Sequence, residues 1–336
     1  MNPALHLPLL LAGLCACAPP HTRQPSWQDR VPMPPLTRQP APADLGQQAF
    51  AHVEKLVAMG PRHAGTKGWQ KSVDYIAAEL ARLGLAVQRD RWTEPDERVE
   101  FENLVATLPG SSRDRILIAC HHDTKRCTGH ADAARNFEFV GANDSGSGVG
   151  LLLALAAVLR TRQHAATYEL VFFDGEESQT WEWEGGKRAL FGSRRFVAEM
   201  QRKELEASSE GPVRALVLLD MVGAKSLQID DDSNSDQELK QVFAAAAKAC
   251  GHERHFFVHK QTVSDDHLPF VDAGIRAIDL IDIADNPEWH TKDDVLERMS
   301  AASLQIVGEV VLTALPELER RYVRLPVQLP RPESRR

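Results

Sequence analysis

Cysteine, positive charge and long hydrophobic runs are all scarce in this 336-residue chain, and each shortage excludes a class of protein. Five cysteines without zinc-finger spacing support neither a disulfide scaffold nor a zinc finger. The 39 Lys and Arg are outnumbered by 47 Asp and Glu, which argues against a nucleic-acid-binding protein. The apolar run at residues 7–14 is too short to cross a bilayer, so this is no multispanning membrane protein.

The N-terminal residues are typical of an export signal. The apolar run ends in Cys15, Ala16 and Cys17, and a small residue before the lipidated cysteine is the pattern of a bacterial lipoprotein signal. This spacing favours Cys17 over Cys15 as the lipidated residue. Residues 1–6 contain no Lys or Arg, which is unusual for a signal peptide, and a disordered apolar leader is the alternative. We expect residues 1–17 to be a signal peptide. The protein would be exported to the bacterial cell envelope and attached to the membrane through Cys17, facing the periplasm or the exterior.

The remainder of the chain predicts one domain between two loose segments. Eight prolines within residues 18–44 favour an extended tether. No further linker is evident, so a single domain is expected over residues 45–325, followed by a loose basic tail at 326–336. A disulfide between Cys120 and Cys127 is possible, but with Cys250 the count is odd and one thiol stays free. The oligomeric state is left open, with a monomer favoured.

Apolar runs and helical patterns alternate through this domain. The runs rich in β-branched residues predict buried strands at 115–120, 168–173, 215–219 and 275–281. Between them, apolar spacing predicts helices at 70–83, 148–160, 193–205, 236–249 and 301–315, the last ending before Pro316. Residues 85–108 predict antiparallel edge strands. The fold class is therefore α/β, with three αβα layers: a mostly parallel mixed sheet and helices on both faces.

Acidic and imidazole side chains cluster where the strands are expected to end. They are His121, Asp123, Asp144, Asp174, Glu176, Glu177, Asp220, Asp265, Asp266 and His290. Ligands of open α/β sheets bind beyond the carboxyl ends of the strands, and this many carboxylates at one edge would repel unless a cation neutralised them. Carboxylates with imidazole and without thiolate favour zinc in an open, three-ligand site, with manganese or cobalt as alternatives.

Each of these residues also has an ordinary structural explanation. Asp144 could be a helix N-cap, and the pair Glu176 and Glu177 could be a solvated turn. Asp265 could be an acid in the first turn of a helix, and His290 a surface residue of a loop. Their joint occurrence in order along the chain, most of them at strand ends, favours a metal-dependent active site.

The same segments resemble the zinc-dependent M28 peptidase superfamily and, within it, the animal-type glutaminyl cyclases (glutaminyl-peptide cyclotransferases). The resemblance rests on residues 118–125, 141–145, 172–177, 190–194, 219–224, 265–270 and 288–294. The cyclase branch is indicated by Asp-Asp-His-Leu-Pro-Phe at 265–270, Trp-His-Thr at 289–291 and Trp-Glu-Trp at 181–183. The resemblance covers essentially the whole domain and implies the zinc aminopeptidase-like fold.

The resemblance also implies a role for each matching residue. It assigns one zinc ion to Asp144, Glu177 and His290, and proton transfer to Glu176. Further implied site residues are Asp220 and Asp265 in a catalytic hydrogen-bond network, and Trp289 and Trp183, the latter favoured over Trp181, in the walls of the substrate pocket. In the peptidase branch a second zinc would be held by Asp144, His121 and Asp220.

Some positions depart from the animal cyclases. Val149 stands where they have a cysteine paired with the Cys120 position, so that disulfide should be absent, and Asp279 stands where they have a histidine. The glycine-rich run 144–148 is similar to that of bacterial aminopeptidases.

Two enzymatic functions follow from the resemblance, both acting on the N-termini of peptides or proteins. The favoured one converts N-terminal glutamine to pyroglutamate with release of ammonia. The alternative is an M28 aminopeptidase that hydrolyses N-terminal residues. A catalytically silent binding module is disfavoured, because all the implied ligands and Glu176 are present.

Overall fold

The computed structural model describes residues 26–31, 33–183, 186–206 and 210–324. The expected signal peptide, the lipidation site at Cys17 and the basic tail at 326–336 lie outside these residues. The strands are β1 Val87–Glu94, β2 Val99–Leu108, β3 Arg115–His121, β4 Thr167–Phe173, β5 Val213–Asp220, β6 Ile229–Asp232, β7 Phe256–Gln261 and β8 Arg276–Ile281. The α-helices are α1 Leu45–Val57, α2 Lys67–Arg82, α3 Gly146–Leu159, α4 Phe191–Leu205, α5 Gln237–Cys250, α6 Leu268–Asp272 and α7 Ala301–Tyr322.

A six-stranded mixed sheet in the order β1-β2-β4-β3-β5-β8 forms the middle layer. Strands β3, β4, β5 and β8 are parallel, whereas β1 and β2 form the antiparallel edge that residues 85–108 predict. The sheet is buried on both faces: Ile116 and Ile118 of β3 face α1, α2, α3, α5 and α7, and Leu117 and Ala119 face α4 and α6. The structure confirms the α/β fold with helices on both faces.

The parallel strands bring the predicted polar residues to one edge of the sheet. His121 and Asp220 are the last residues of β3 and β5, and residues 174–177 directly follow β4. Helix α3 crosses close above the sheet at Gly148, where an added Cβ would lie 2.3 Å from the carbonyl oxygen of Leu219. Only glycine permits this approach, which fixes the start of α3 beside the strand ends.

Five elements differ from the sequence prediction. Helix α7 continues six residues past Pro316 to Tyr322. Pro316 itself is exposed, but the rest of α7 is largely buried against α1 and α5, and this packing overrides the low helix propensity of proline. Helices α1 and α6 and the small parallel sheet of β6 and β7 were not predicted. The sequence of β6, Ile-Asp-Asp-Asp, has no strand-like composition, and its acids are buried by contacts with distant segments.

The described part of the proline-rich segment, predicted as an extended tether over residues 18–44, contains no α-helix or strand and is packed on the domain. Trp27 donates from its indole to Asp231, and Arg38 forms an ion pair with Glu309. The backbone of Gln39 donates to Thr313. Proline favours extended chain, but it does not prevent that chain from lying across α5 and α7.

The structure also shows the state of the three cysteines in the domain and the position of its most apolar long helix. The thiols of Cys120, Cys127 and Cys250 are free and buried, so Cys120 and Cys127 are not bridged. Helix α7 is apolar and long enough to cross a membrane, but 72% of its most apolar window is buried among the other helices. It is therefore a core helix of the domain.

Candidate active site

Asp144, Glu177 and His290 converge at the carboxyl edge of the sheet. Nε2 of His290 lies 3.0 Å from a Glu177 carboxylate oxygen and 3.4 Å from an Asp144 oxygen. These three side chains can offer ligand atoms within 4.8 Å of one another. Both carboxylates are buried, and Oε2 of Glu177 has no hydrogen-bond partner among the described residues. A buried, incompletely bonded set of two carboxylates and one imidazole fits a divalent metal ion.

Asp144 also faces a second imidazole with its other carboxylate oxygen. Nε2 of His121 lies 3.3 Å from Oδ1 of Asp144 and 3.1 Å from Oδ1 of Asp220. These three residues form a second group that could hold a metal ion. Asp144 is not a helix cap: α3 begins after Ser145, and the Asp144 carboxylate lies between the two histidines.

The turn after β4 carries Glu176 and Glu177. Gly175 adopts a φ of +66°, and an added Cβ would clash with the Phe101 ring, so the turn requires glycine. The backbone N–H groups of Glu176 and Glu177 donate to the two oxygens of Asp123, at 3.2 and 3.3 Å. The Asp123 carboxylate thereby fixes the backbone of two adjacent glutamates, of which Glu177 faces His290 and Glu176 faces the adjoining cavity.

Burial perturbs the charges of these groups. It raises the pKa of Glu176 well above its usual value, although His121 opposes the shift. Burial also raises the pKa of Asp220, to about 7, against the effect of His121. For His290 burial lowers the pKa, but Glu177 and Asp144 outweigh it and raise the pKa to about 9. Protonation of carboxylates and of the His290 imidazole thus reduces the electrostatic repulsion among the crowded acids. A bound cation would reduce the same repulsion.

A cavity of about 750 Å³ opens directly above these side chains. Its walls include three tryptophans, Trp181, Trp183 and Trp289, and an apolar patch of Val263, Ile281 and Ile283. Asp220, Asp265 and Glu176 also line it. The cavity therefore combines an acidic floor with aromatic walls, which is the arrangement of a small-molecule or peptide-end site.

The preference for Trp183 over Trp181 as a wall of the substrate pocket stays a prediction. Both Trp181 and Trp183 line the cavity, but Trp181 contacts His290, with ring centroids 6.3 Å apart. The Arg135 guanidinium covers the Trp181 ring at 4.9 Å and bonds Glu182 at 3.0 Å. Trp181 is thus the wall nearer the proposed ligands. Which of the two tryptophans lies nearer to His290 depends on the path of the chain through the insert. The distance along the sequence to residues 190–194 does not reveal that path.

A third buried cluster lies behind the cavity. Nδ1 and Nε2 of His267 lie 3.6 Å from Asp279 and 3.2 Å from Asp232, and Asp265 belongs to the same group. Burial raises the pKa of Asp279 well above its usual value, with Asp265 adding to the shift. Burial therefore disfavours the charged form of the extra carboxylate at Asp279, which lies beside the His267 imidazole.

Several residues at the site were not found from the sequence. Lys125 is buried with its ammonium 3.4 Å from Oε2 of Glu177, and Phe139 packs edge-on against His290. Arg62 and Asp294 bond the backbone of the loop that carries Asp144. Lys125 and Asp294 lie within the motif segments, but no local pattern distinguishes a charge that supports a ligand from a surface charge.

The relationship to known proteins agrees with this geometry. Residues 103–315 match the sequence profile of peptidase family M28. The chain belongs to peptidase family M28. The family match extends from β2 into α7, so it includes every proposed ligand and confirms the superfamily resemblance.

Three relatives in this family illustrate the two branches. The mouse (Mus musculus) glutaminyl-peptide cyclotransferase-like protein is 30% identical over 285 residues, which cover 76% of this chain and 72% of that protein. The crystal structure of a glutaminyl cyclase from an Acidobacteriales bacterium has a TM-score of 0.74 and 31% identity, covering 87% of this chain and all of that one. A structure named as a leucine aminopeptidase precursor from Bacteroides thetaiotaomicron has a TM-score of 0.71 and 27% identity, covering 80% and 96%.

Proposed function

We propose that this chain is a zinc-dependent glutaminyl-peptide cyclotransferase, which converts the N-terminal glutamine of peptides to pyroglutamate and releases ammonia. The observation that supports this choice most directly is the aromatic surroundings of the proposed ligand His290, with the Trp289 ring stacked on its imidazole and the Trp181 ring in edge-on contact. Cyclisation is intramolecular, so the site must hold amine and amide together and exclude water. The similarity to proteins named as glutaminyl cyclases supports the same conclusion.

In this proposal Asp144, Glu177 and His290 hold one zinc ion. When bound, zinc would polarise the γ-carboxamide carbonyl of the substrate as a Lewis acid. The side chains that face the cavity would supply the remaining chemistry, and tryptophan rings would pack against the substrate's aliphatic atoms.

Glu176 transfers the proton in the proposed reaction. Its carboxylate takes a proton from the attacking α-amine and returns it to the departing ammonia. Burial, which raises its pKa, makes this carboxylate a better proton acceptor than an exposed glutamate. Asp265 and Asp220 line the same cavity and would orient the amine and the leaving group through hydrogen bonds.

The second candidate is an aminopeptidase of the same family. It is favoured by one specific feature, the additional ligand group of His121, Asp144 and Asp220. Two metal ions could then be held, with Asp144 between them, and Glu176 would deprotonate a water molecule instead of an amine. The likeness to a structure named as an aminopeptidase precursor keeps this candidate open.

The deciding experiment compares two synthetic peptides, one beginning with glutamine and a twin beginning with leucine. Each is incubated with the zinc-loaded protein and followed by mass spectrometry. Loss of one ammonia from the glutamine peptide alone is the expected result. Release of a free N-terminal residue from either peptide would instead identify an aminopeptidase.

We further propose that the protein is exported and held at the bacterial membrane by a lipid on Cys17. The support is the sequence alone, an apolar run followed by Cys15, Ala16 and Cys17. The packed segment from residue 26 would then keep the domain close to the membrane.

A further inference from the structure

The loop that delivers Asp144 to the site is irregular and buried, so its backbone polar groups need partners outside any helix or strand. Arg62 supplies one set of partners. This side chain is 0% exposed, and it donates from Nη1 to the carbonyl of Val140 at 2.6 Å and from Nη2 to that of Gly141 at 2.8 Å. Its own backbone N–H is fixed by Thr124 at 2.9 Å. The guanidinium therefore bonds the first half of the loop.

Asp294 binds the second half of the same loop. Its carboxylate oxygens accept from the backbone N–H of Asn143 at 2.7 Å and of Asp144 at 3.0 Å. Its carbonyl accepts from Ala142 at 3.3 Å. Together, the side chains of Arg62 and Asp294 and the carbonyl of Asp294 form hydrogen bonds with a backbone group of every residue from 140 to 144.

The two charges depend on each other. A buried guanidinium or carboxylate alone would be costly, whereas opposite charges around the same loop stabilise one another. Burial lowers the pKa of Arg62, to about 10, while Asp294 and Asp144 act against that shift. Gly141 folds the loop tightly, with a φ of +51° and no room for a side chain beside the carbonyl of Asp144. The loop therefore has one tight shape, held from both sides.

We propose that Arg62 and Asp294 are positioning residues that set the Asp144 carboxylate for the metal ion before the ion binds. Neither side chain is a proposed ligand, and Arg62 does not line the cavity. They act through the backbone of residues 140–144. Groups that orient metal ligands in this way typically contribute about 10- to 100-fold to metal affinity.

The test measures the zinc dissociation constant of the full chain by competition with a chromogenic chelator. We expect R62M, which keeps the volume but loses charge and donors, to bind zinc about 10- to 100-fold more weakly. R62K, which restores the charge and can reach one carbonyl, should recover part of this loss. D294N keeps only one good acceptor for two N–H groups, so it should also weaken binding.

Arg115 provides the matched control. It is another buried arginine, 6% exposed, at the opposite end of β3, where it donates to the carbonyl of Gly211 at 2.7 Å and pairs with Glu169 at 3.0 Å. R115M should lower the melting temperature without changing the zinc dissociation constant. Equal loss of affinity in R62M and R115M would reduce the effect to general destabilisation and overturn the proposal.

Circular dichroism of the metal-free proteins separates misfolding from mispositioning. If metal-free R62M is unfolded, R62K and D294N decide: wild-type zinc affinity in both, with folded protein, overturns the proposal. The proposal depends on the zinc site but not on which reaction it performs. A wild-type chain that binds no zinc would refute the site itself, whereas zinc binding that is insensitive to R62M, R62K and D294N would refute only the positioning role.

Discussion

The indole of Trp289 stacks on the imidazole of His290, with ring centroids 4.3 Å apart and planes inclined by 27°. Trp289 is 43% exposed, so this large apolar ring is held at the cavity mouth by its neighbour rather than by the core. His290 has a φ of +53°, an uncommon conformation that turns its ring towards Glu177. The stack therefore links the proposed metal ligand to the wall that substrate would contact.

Removing this ring should weaken substrate binding more than chemistry. Aromatic pairs contribute about 0.5–1.5 kcal/mol, so we expect W289A to raise KM by roughly 2- to 10-fold with a smaller change in kcat. W289F keeps an aromatic face and should retain most of the affinity. Steady-state ammonia release measures both constants, with W92F on the distant strand β1 as control. An unchanged KM in W289A would remove Trp289 from the substrate pocket.

Neutralising Glu176 should stop turnover without releasing metal. A positioned general base contributes about 10²- to 10⁴-fold, so E176Q should lose activity by that factor and still carry zinc. Ammonia release and elemental analysis of the same preparation provide the two readings. E199Q changes a partly buried acid on α4 that is bonded to Arg202, and it should behave as wild type. Near wild-type turnover in E176Q would contradict the proton-transfer role.

Histidine substitutions should distinguish one metal ion from two. His290 is one of three proposed ligands, so H290A should lose bound zinc. H121A should retain it if a single ion is bound, and should lose part of it if His121 holds a second ion. Elemental analysis gives the stoichiometry, with H259A as a surface control. Full zinc content in H290A would reject the proposed ligand set.

Asp282 should make folding stability depend on pH. Burial raises its pKa to about 7, helped by Asp230 and Asp285 and opposed by the N–H of Gln228. Because the folded-state pKa is raised, this stability contribution is complete below the unfolded pKa of about 3.9 and is lost as pH rises through about 7.

The melting temperature of the neutral variant D282N should therefore fall less than that of the wild type as pH rises from about 4 to about 7, the window between the two pKa values. Thermal unfolding of wild type and D282N at several pH values measures the difference. D96N, in the exposed turn between β1 and β2, serves as control. Parallel curves for wild type and D282N would mean that Asp282 is ionised throughout.

Lipid attachment is tested by labelling cells with a radioactive fatty acid. The label should appear on the wild-type protein and disappear in C17A, because Cys17 is the proposed attachment point of the lipid. C15A serves as the matched variant and should keep the label. Labelling that persists in C17A would point to Cys15 or reject attachment.

The layered fold was predictable because its main signals are local. Residues 116–120 are apolar at every position, and such a run is stable only between two helical layers. The edge hairpin of β1 and β2 was predicted from alternation within residues 85–108. By contrast, β6 and the length of α7 depend on neighbours from elsewhere in the chain, which outweigh the composition of Ile229–Asp232 and the proline at 316.

By itself, the sequence determined the chemistry that is available: the residue types at the strand ends, the glycines that permit the turns, and the motifs of the M28 family. Only the tertiary structure decided the distances between the site residues and which other residues hold them in position. It placed Trp181 in contact with His290, packed the described part of residues 26–44 on the domain, and brought Arg62 and Asp294 to the loop of Asp144. Such contacts join residues far apart in the chain, so they follow from how helices and strands pack and not from any local pattern.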